Sequence, residues 1–276
     1  MRAITPILVK LVGLGLLASS FVAQPVWAGV HTEPSVPPGR AWSASQPGLE
    51  QLSKRADFER ENASAEARQV ADWVLDSRDN QGLPFVIVDK KNANVFVFNA
   101  NGRLRGAAPA LLGLAVGDDS IPGIGERKLS SIQPEERTTP AGRFVAALDR
   151  NLQGKEILWV DYDGAVSLHP VITSNAQEHR AQRLATPTPL DNRISYGCIN
   201  VPAEFFKRVV SPAFSGSNGI VYVLPETRSA QQVFSSYDVD VRTQAKATHQ
   251  PVPAPIDVEV PLQPSPAAPR PNHQQQ

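Results

Sequence analysis

Hydrophobic and polar positions along the chain change period several times. Residues 49–78 contain no Gly or Pro and are rich in Ala, Glu and Arg. Leu52, Ala56, Ala63, Ala67, Val70 and Val74 recur there at helical spacing, which predicts a helical segment over residues 49–80, as one long helix or two short ones. Ser64, with Glu66 in the following turn, is the natural cap of a second helix. From residue 84 the period shortens. "PFVIVD" and "NVFVFN" are runs of Val, Ile and Phe separated by "KKNA", which predicts a β-hairpin. Asn101-Gly102 marks the next turn, ahead of "RLRGAAPALLGLAVG".

Further along, "TTPAGRFVAALD" (138–149) places Pro140 and Gly142 in a turn before a strand, and "EILWVDYDGAVSLHPV" reads as strand, Asp-Gly turn, strand. "PAEFFKRVV" predicts a short helix with Pro202 in its first turn, where a missing N–H is not needed. "GIVYVLP" (219–225) is a last apolar strand. The expectation is a mainly β domain over residues 82–226, a β-sandwich or mixed sheet with a few short helices.

The two ends read differently. Arg2 and Lys10 precede an apolar run from Leu11 to Ala23, which closes on Val26-Trp27-Ala28. This is the pattern of a secretory signal peptide over residues 1–28, and the run is short for a membrane span. The mature chain is therefore expected in the periplasm or cell envelope without a stable membrane span. Residues 29–48, rich in Pro, Gly and Ser, read as a linker. Residues 227–276 read as a low-complexity, disordered tail, with eight prolines after residue 250 and a terminal "HQQQ".

Charge adds little. The full chain has zero net charge, and loss of Arg2 and Lys10 would leave two net negative charges, so nothing points to a nucleic-acid partner. Cysteine changes the picture more. Cys198 is the only one, and a solitary cysteine in an oxidising compartment cannot close an intramolecular disulfide. It is a buried apolar residue, an intermolecular bridge or a reactive thiol.

Its neighbours favour the reactive thiol. Gly197 allows close approach of a substrate or an unusual φ, and N–H groups in "SYGC" suit a developing oxyanion. A thiol of ordinary pKa is only about 3% ionised at pH 7, so a histidine partner is the usual remedy. Between residues 82 and 226 the candidates are His169 and His179. In "AVSLHPV", strand alternation puts Ala165, Ser167 and His169 on one face and Val166 and Leu168 on the other, so a buried Val/Leu face turns His169 outward beside Ser167. His179 reads as a surface residue. Zinc is not expected, because His169, His179 and Cys198 contain no close ligand pair.

Taken together, these motifs resemble the YkuD-type L,D-transpeptidase catalytic domain. "TTPAGRF" resembles its Thr-Pro-x-Gly-x-Phe turn, "VIVDKKNANVFVFNANG" its opening strands, and His169 followed by "SYGCIN" its catalytic signature in the right order. The likeness covers residues 84–225. It departs in three places: Tyr196 stands where the family usually has His, Asn200 where it often has Arg, and Pro170 follows the histidine in place of Gly.

The resemblance implies a cysteine acyltransferase without a cofactor. Cys198 would attack the carbonyl of the third residue of a peptidoglycan stem peptide and expel the terminal D-Ala, with His169 as base and acid. Ser195, Tyr196 and Gly197 would shape the oxyanion site, and Asn200 would line it. Arg193 is the candidate partner for a stem-peptide carboxylate, whereas Arg180 and Arg183 read as solvated loop charges. The acceptor would be an amine from a second stem, a lipoprotein lysine or a D-amino acid. With water as acceptor the same scaffold is an L,D-carboxypeptidase or a hydrolase that cleaves cross-links or releases lipoproteins. Without chemistry it is a silent peptidoglycan-binding protein.

Overall fold

The runs with no polar break become strands covered on both faces. The fold is a computed structural model in which residues 54–248 are described. The signal peptide, the linker and the last 28 positions of the proline-rich tail lie outside the described residues, as does Leu52. Helix α1 (Ala65–Ser77) begins where expected, with the Ser64 side chain accepting from the Ala67 N–H, and ends at Arg78 in the left-handed region (φ 59). Glu66 lies in its first turn, where it suits the positive end of the helix.

The helix does not extend back to residue 49. Asp57 instead forms a bridge with Arg103, its N–H donating to the Gly102 carbonyl at 2.8 Å. Phe58 then packs edge-on to Phe96 and Phe98, with centroids 5.3 and 4.9 Å apart. Burial of one aromatic ring outweighs the helix preference of this stretch, because propensity is readily overridden by tertiary contacts.

The hairpin forms from β1 (Phe85–Asp89) and β2 (Asn94–Phe98), paired from Phe85–Phe98 to Asp89–Asn94. After β3 (Leu104–Pro109) the chain makes the two-residue strand β4 (Leu112–Gly113), then a long loop to β5 (Gly142–Arg150). Strands β6 (Glu156–Asp161) and β7 (Val166–Pro170) follow, joined by the expected Asp-Gly turn. Helix α2 (Arg180–Ala185) leads to β8 (Arg193–Ser195) and β9 (Ile199–Val201).

Helix α3 (Ala203–Phe205) widens into a π-helix over Phe206–Val210 and continues as α4 (Ser211–Phe214). The widening precedes Pro212, which has no N–H to give to an α-helical bond. Strand β10 (Gly219–Val223) and helices α5 (Ala230–Phe234) and α6 (Val239–Thr248) complete the described chain. None of these helices is long and apolar enough to cross a membrane.

One mixed eight-stranded sheet runs β3-β2-β1-β10-β5-β6-β7-β9, beside a two-stranded parallel ribbon of β4 and β8. The sheet is antiparallel except where β1 meets β10 and β7 meets β9. Its two edges are linked. Leu111, just past edge strand β3, exchanges two 2.8 Å backbone hydrogen bonds with Asn200 on the opposite edge strand β9.

One apolar core gathers Val86, Val95, Leu158, Leu168, Ile199 and Val221 with Phe206, Val210 and Phe214 of the α3–α4 helix. A second, on the other face of β1, β2 and β10, joins Phe85, Phe98 and Tyr222 to Val70, Trp73 and Val74 of α1. The mainly β, mixed-sheet expectation holds, and the continuous apolar strands are those with a core on each face.

The expected disorder from residue 227 is corrected over residues 227–248. Asp118 is buried, and it accepts hydrogen bonds from the N–H groups of Glu226, Thr227 and Arg228. Phe234 stacks on Trp73, and the Tyr237 hydroxyl donates to Asp76 at 2.6 Å. These contacts dock a stretch whose composition alone gave no core signal.

Candidate active site

The end of β7 and the start of β9 bring His169 and Cys198 together, because the two strands pair in parallel with His169 opposite Asn200. Val166 and Leu168 point into the first core, so Ser167 and His169 point out of it, as alternation requires. The half-buried Cys198 thiol lies 3.7 Å from the Ser167 hydroxyl and 3.7 Å from the Ala165 carbonyl, within hydrogen-bond reach for sulfur.

Burial opposes ionisation of that thiol. The hydrogen bond and charge of His169, followed by hydrogen bonds from Ser167, outweigh it and hold the thiol below its ordinary value. For His169, burial pulls down, but the Cys198 hydrogen bond and charge and the Pro170 carbonyl together raise the imidazole above its ordinary value. The Arg180 charge acts against them.

The imidazole is oriented from both sides. Its Nδ1 lies 2.8 Å from the Pro170 carbonyl and its Nε2 lies 3.3 Å from Asn200 Nδ2. Arg180 Nη1 donates to Asn200 Oδ1 at 2.7 Å; an arginine has no acceptor, so the amide group facing His169 is the NH₂. The neutral imidazole therefore carries its proton on Nδ1, donated to Pro170, and Nε2 is the basic atom.

Asn200 is 1% exposed, which corrects its assignment to substrate binding: it is enclosed, and it positions the base. Arg180 is corrected too. Its side chain is largely enclosed and bridges Glu178 and Asn200, so it is not a solvated loop charge. Arg183 donates to the Glu178 and Asp191 carbonyls, and His179 is exposed ahead of α2.

The Ser-Tyr-Gly-Cys stretch is tied down by polar contacts. Ser195 Oγ donates to the Cys198 carbonyl at 2.6 Å and accepts from the Gly197 N–H at 3.1 Å. The Gly197 N–H is thus occupied, which corrects its place among the oxyanion donors. The Tyr196 and Cys198 N–H groups donate to no acceptor among the described residues and are available for one. Gly197 has φ +126, and a Cβ there would come within 2.9 Å of the Thr138 carbonyl, so both backbone and space demand glycine.

Arg193 is not at the thiol. Its guanidinium closes on Glu226, with one N–H on the Lys90 carbonyl at 3.1 Å. Its role as a substrate-carboxylate partner is therefore corrected to a buried ion pair. The same cluster contains Lys90, whose Nζ donates to Asp118 and to the Thr139 carbonyl, both at 3.0 Å. Burial works against ionised Asp118, but hydrogen bonds from Thr227, Glu226, Lys90 and Arg228 hold its carboxyl well below the usual carboxylate range.

Two residues that sequence reading missed complete the site. Thr139 is fully buried, and its hydroxyl donates to the Gly197 carbonyl at 2.8 Å while accepting from the Gly113 N–H at 2.8 Å. The guanidinium of Arg137 lies 3.9 Å from the centroid of the Tyr196 ring. The signal for Thr139 lay in "TTPAGRF", read only as a turn; nothing in the sequence distinguishes Arg137 from other loop arginines. Among the described residues no group of three or more His, Cys, Asp or Glu is arranged to hold a metal ion.

This arrangement is suited to nucleophilic acyl transfer: a thiol held toward its ionised form and an oriented imidazole meet at one strand end, and the N–H groups of Tyr196 and Cys198 have no acceptor among the described residues. No family model matches the chain. No curated protein matches it either. Among solved structures it is similar to the avibactam carbamoyl enzyme of Ldtfm, at 17% identity and a TM-score of 0.30, over 52% of this chain and 49% of that one. It is also similar to the NMR structure of the catalytic domain from an E. faecium L,D-transpeptidase, at 17% identity and a TM-score of 0.28, over 51% of this chain and 96% of that one. This chain thus spans about half the length of the first of these, and the solved chains it resembles include an L,D-transpeptidase catalytic domain.

Proposed function

We propose that the protein is an exported cysteine L,D-transpeptidase that acts on peptidoglycan stem peptides. The observation that carries this reading is the parallel pairing of β7 with β9, which sets His169 beside the Cys198 stretch, with the far side of the imidazole fixed on the Pro170 carbonyl. The order of the sequence motifs around these two residues supports the substrate class.

In the proposed reaction His169 Nε2 gives up the Asn200 N–H and takes the thiol proton, and Cys198 Sγ attacks the carbonyl carbon of the third stem residue. The oxyanion faces the Tyr196 and Cys198 N–H groups. His169 then returns the proton to the departing amine of D-Ala, the C–N bond breaks, and a thioester remains. An acceptor amine attacks the thioester carbonyl and loses its proton to His169, and the re-protonated thiol leaves. Tyr196 replaces the family's usual histidine without removing either group that moves a proton here.

Mass spectrometry of the mature protein with a disaccharide-tetrapeptide, with and without a D-amino acid, tests the reading. The expected result is loss of D-Ala with a new cross-linked or exchanged product, abolished in Cys198→Ala. Loss of D-Ala without transfer would replace the reading with a hydrolase. No reaction with either protein would refute it for this substrate.

A further inference from the structure

The arginines of the elements that frame the site differ in what neutralises them. Arg193 is closed on Glu226 and Arg180 is held by Glu178. Arg137 has no carboxylate within ion-pair distance among the described residues. Its Nε and Nη2 both donate to one carbonyl, that of Ile132, at 3.3 and 3.0 Å, which leaves Nη1 without a hydrogen-bond partner among the described residues. Its Cζ lies over the ring of Tyr196, two residues before the thiol, and Tyr196 is 37% exposed. The next residue, Thr138, sets its carbonyl against Gly197, and Thr139 is hydrogen-bonded to the Gly197 carbonyl. A half-buried, pre-oriented cation therefore sits on the stretch that carries the nucleophile, and the described residues supply no anion within ion-pair distance of it.

We infer that Arg137, held by Tyr196, is the anchor for a carboxylate of the acyl donor. A fixed guanidinium recognises a carboxylate through charge-assisted hydrogen bonds, and stacking on an aromatic ring restricts the motion that binding would otherwise have to arrest. Tyr196 thereby acquires a function of its own: it supplies the platform for the cation. The choice of donor rests on the acyl-transfer reading above; the anion site beside the thiol does not.

The experiment compares two alkylating reagents on the single cysteine, iodoacetate and iodoacetamide, which differ mainly in charge. Both rates are referred to those of N-acetylcysteine. In the native protein the iodoacetate-to-iodoacetamide ratio exceeds that of the free thiol and falls as salt is added. Arg137→Met lowers the ratio about tenfold, while the iodoacetamide rate changes little. Arg137→Lys keeps the charge and restores part of the ratio. A purely structural arginine would slow both reagents alike; that outcome, or a native ratio equal to that of the free thiol, overturns the inference. Should Arg137→Met fail to fold, the salt dependence of the native ratio decides alone.

None of this requires turnover, so it can succeed where the transpeptidase reading fails, and the reverse. Where turnover is found, donors amidated at the terminal carboxylate or at the side-chain carboxylate of the third residue identify the group. Arg137→Met then reduces kcat/KM for the free acid and leaves that for the matching amide unchanged; equal losses on every donor overturn the inference.

Discussion

The helix-covered wing of the sheet and the strand ends that carry the thiol are held by different forces. In the wing, Phe85, Phe98, Val74 and Tyr222 are fully buried, the rings of Phe85 and Phe98 stack at 4.8 Å, and Trp73 of α1 lies edge-on to Tyr222. At the site, β4 has two residues and β8 and β9 have three each. Such short ladders fix little, and the geometry is set by buried polar groups, each with named partners: Thr139, Ser195, Asn200, and the Lys90–Asp118–Glu226–Arg193 cluster. Apolar burial is tolerant of detail and supplies stability. Polar positioning supplies little net stability and depends on each partner.

The sharpest way to break this contrast is to damage one region and read both. Phe98→Ala removes a fully buried ring packed against Phe85 and Phe58, and should cost about 3–5 kcal/mol of unfolding free energy. Denaturant unfolding measures it. Under native conditions the alkylation rate of Cys198 per folded molecule should stay as in the parent. A large fall in that rate would mean that the wing also sets the site.

The same contrast decides what could be read from the sequence. Strands β1, β2 and β10 were legible because burial on both faces leaves an uninterrupted apolar run, and Ser64 was legible as a cap because its partner lies three residues on. The His169 face followed from alternation in one strand. Arg137 and the Glu226 partner of Arg193 were not legible, and Thr139 was legible only as part of a turn, since each contact spans 33 or more positions and any polar residue looks alike until the fold supplies its neighbour. Residues 54–64 were misread for the converse reason: good helix formers whose one aromatic, Phe58, finds a better place against the hairpin.

A smaller effect sharpens the polar side. Thr139→Val keeps the shape but removes the hydroxyl between Gly113 and Gly197, leaving a buried N–H and a carbonyl without their partner. Stability should fall by about 1–3 kcal/mol, less than for Phe98→Ala. Here the alkylation rate per folded molecule should fall as well, because the Cys198 loop loses its tether. The two variants would thus rank in opposite order for stability and for thiol reactivity. If Thr139→Val leaves alkylation unchanged, the loop is held by Ser195 alone.

The smallest expected effect is on pH dependence, and its sign follows from the direction of each shift. The Cys198 thiol is lowered, so in the parent protein alkylation by iodoacetamide should remain substantial at a pH below the ordinary thiol range and decline only as pH falls through the lowered value. His169→Ala removes the largest influence favouring the thiolate and leaves burial, which raises the thiol. Its alkylation midpoint should therefore move upward, with a rate loss at pH 7 of about tenfold for each pH unit by which the midpoint rises above 7. The two folding contributions run in opposite directions with pH. Stability from the lowered thiol is present above its unfolded value and lost as pH falls through the folded one, while stability from the raised imidazole is present below its unfolded value and lost as pH rises through its folded one. Both are small beside the buried rings of the wing. A thiol midpoint that does not move in His169→Ala would mean that Ser167 and the strand end alone depress it, and that His169 acts only on the leaving amine.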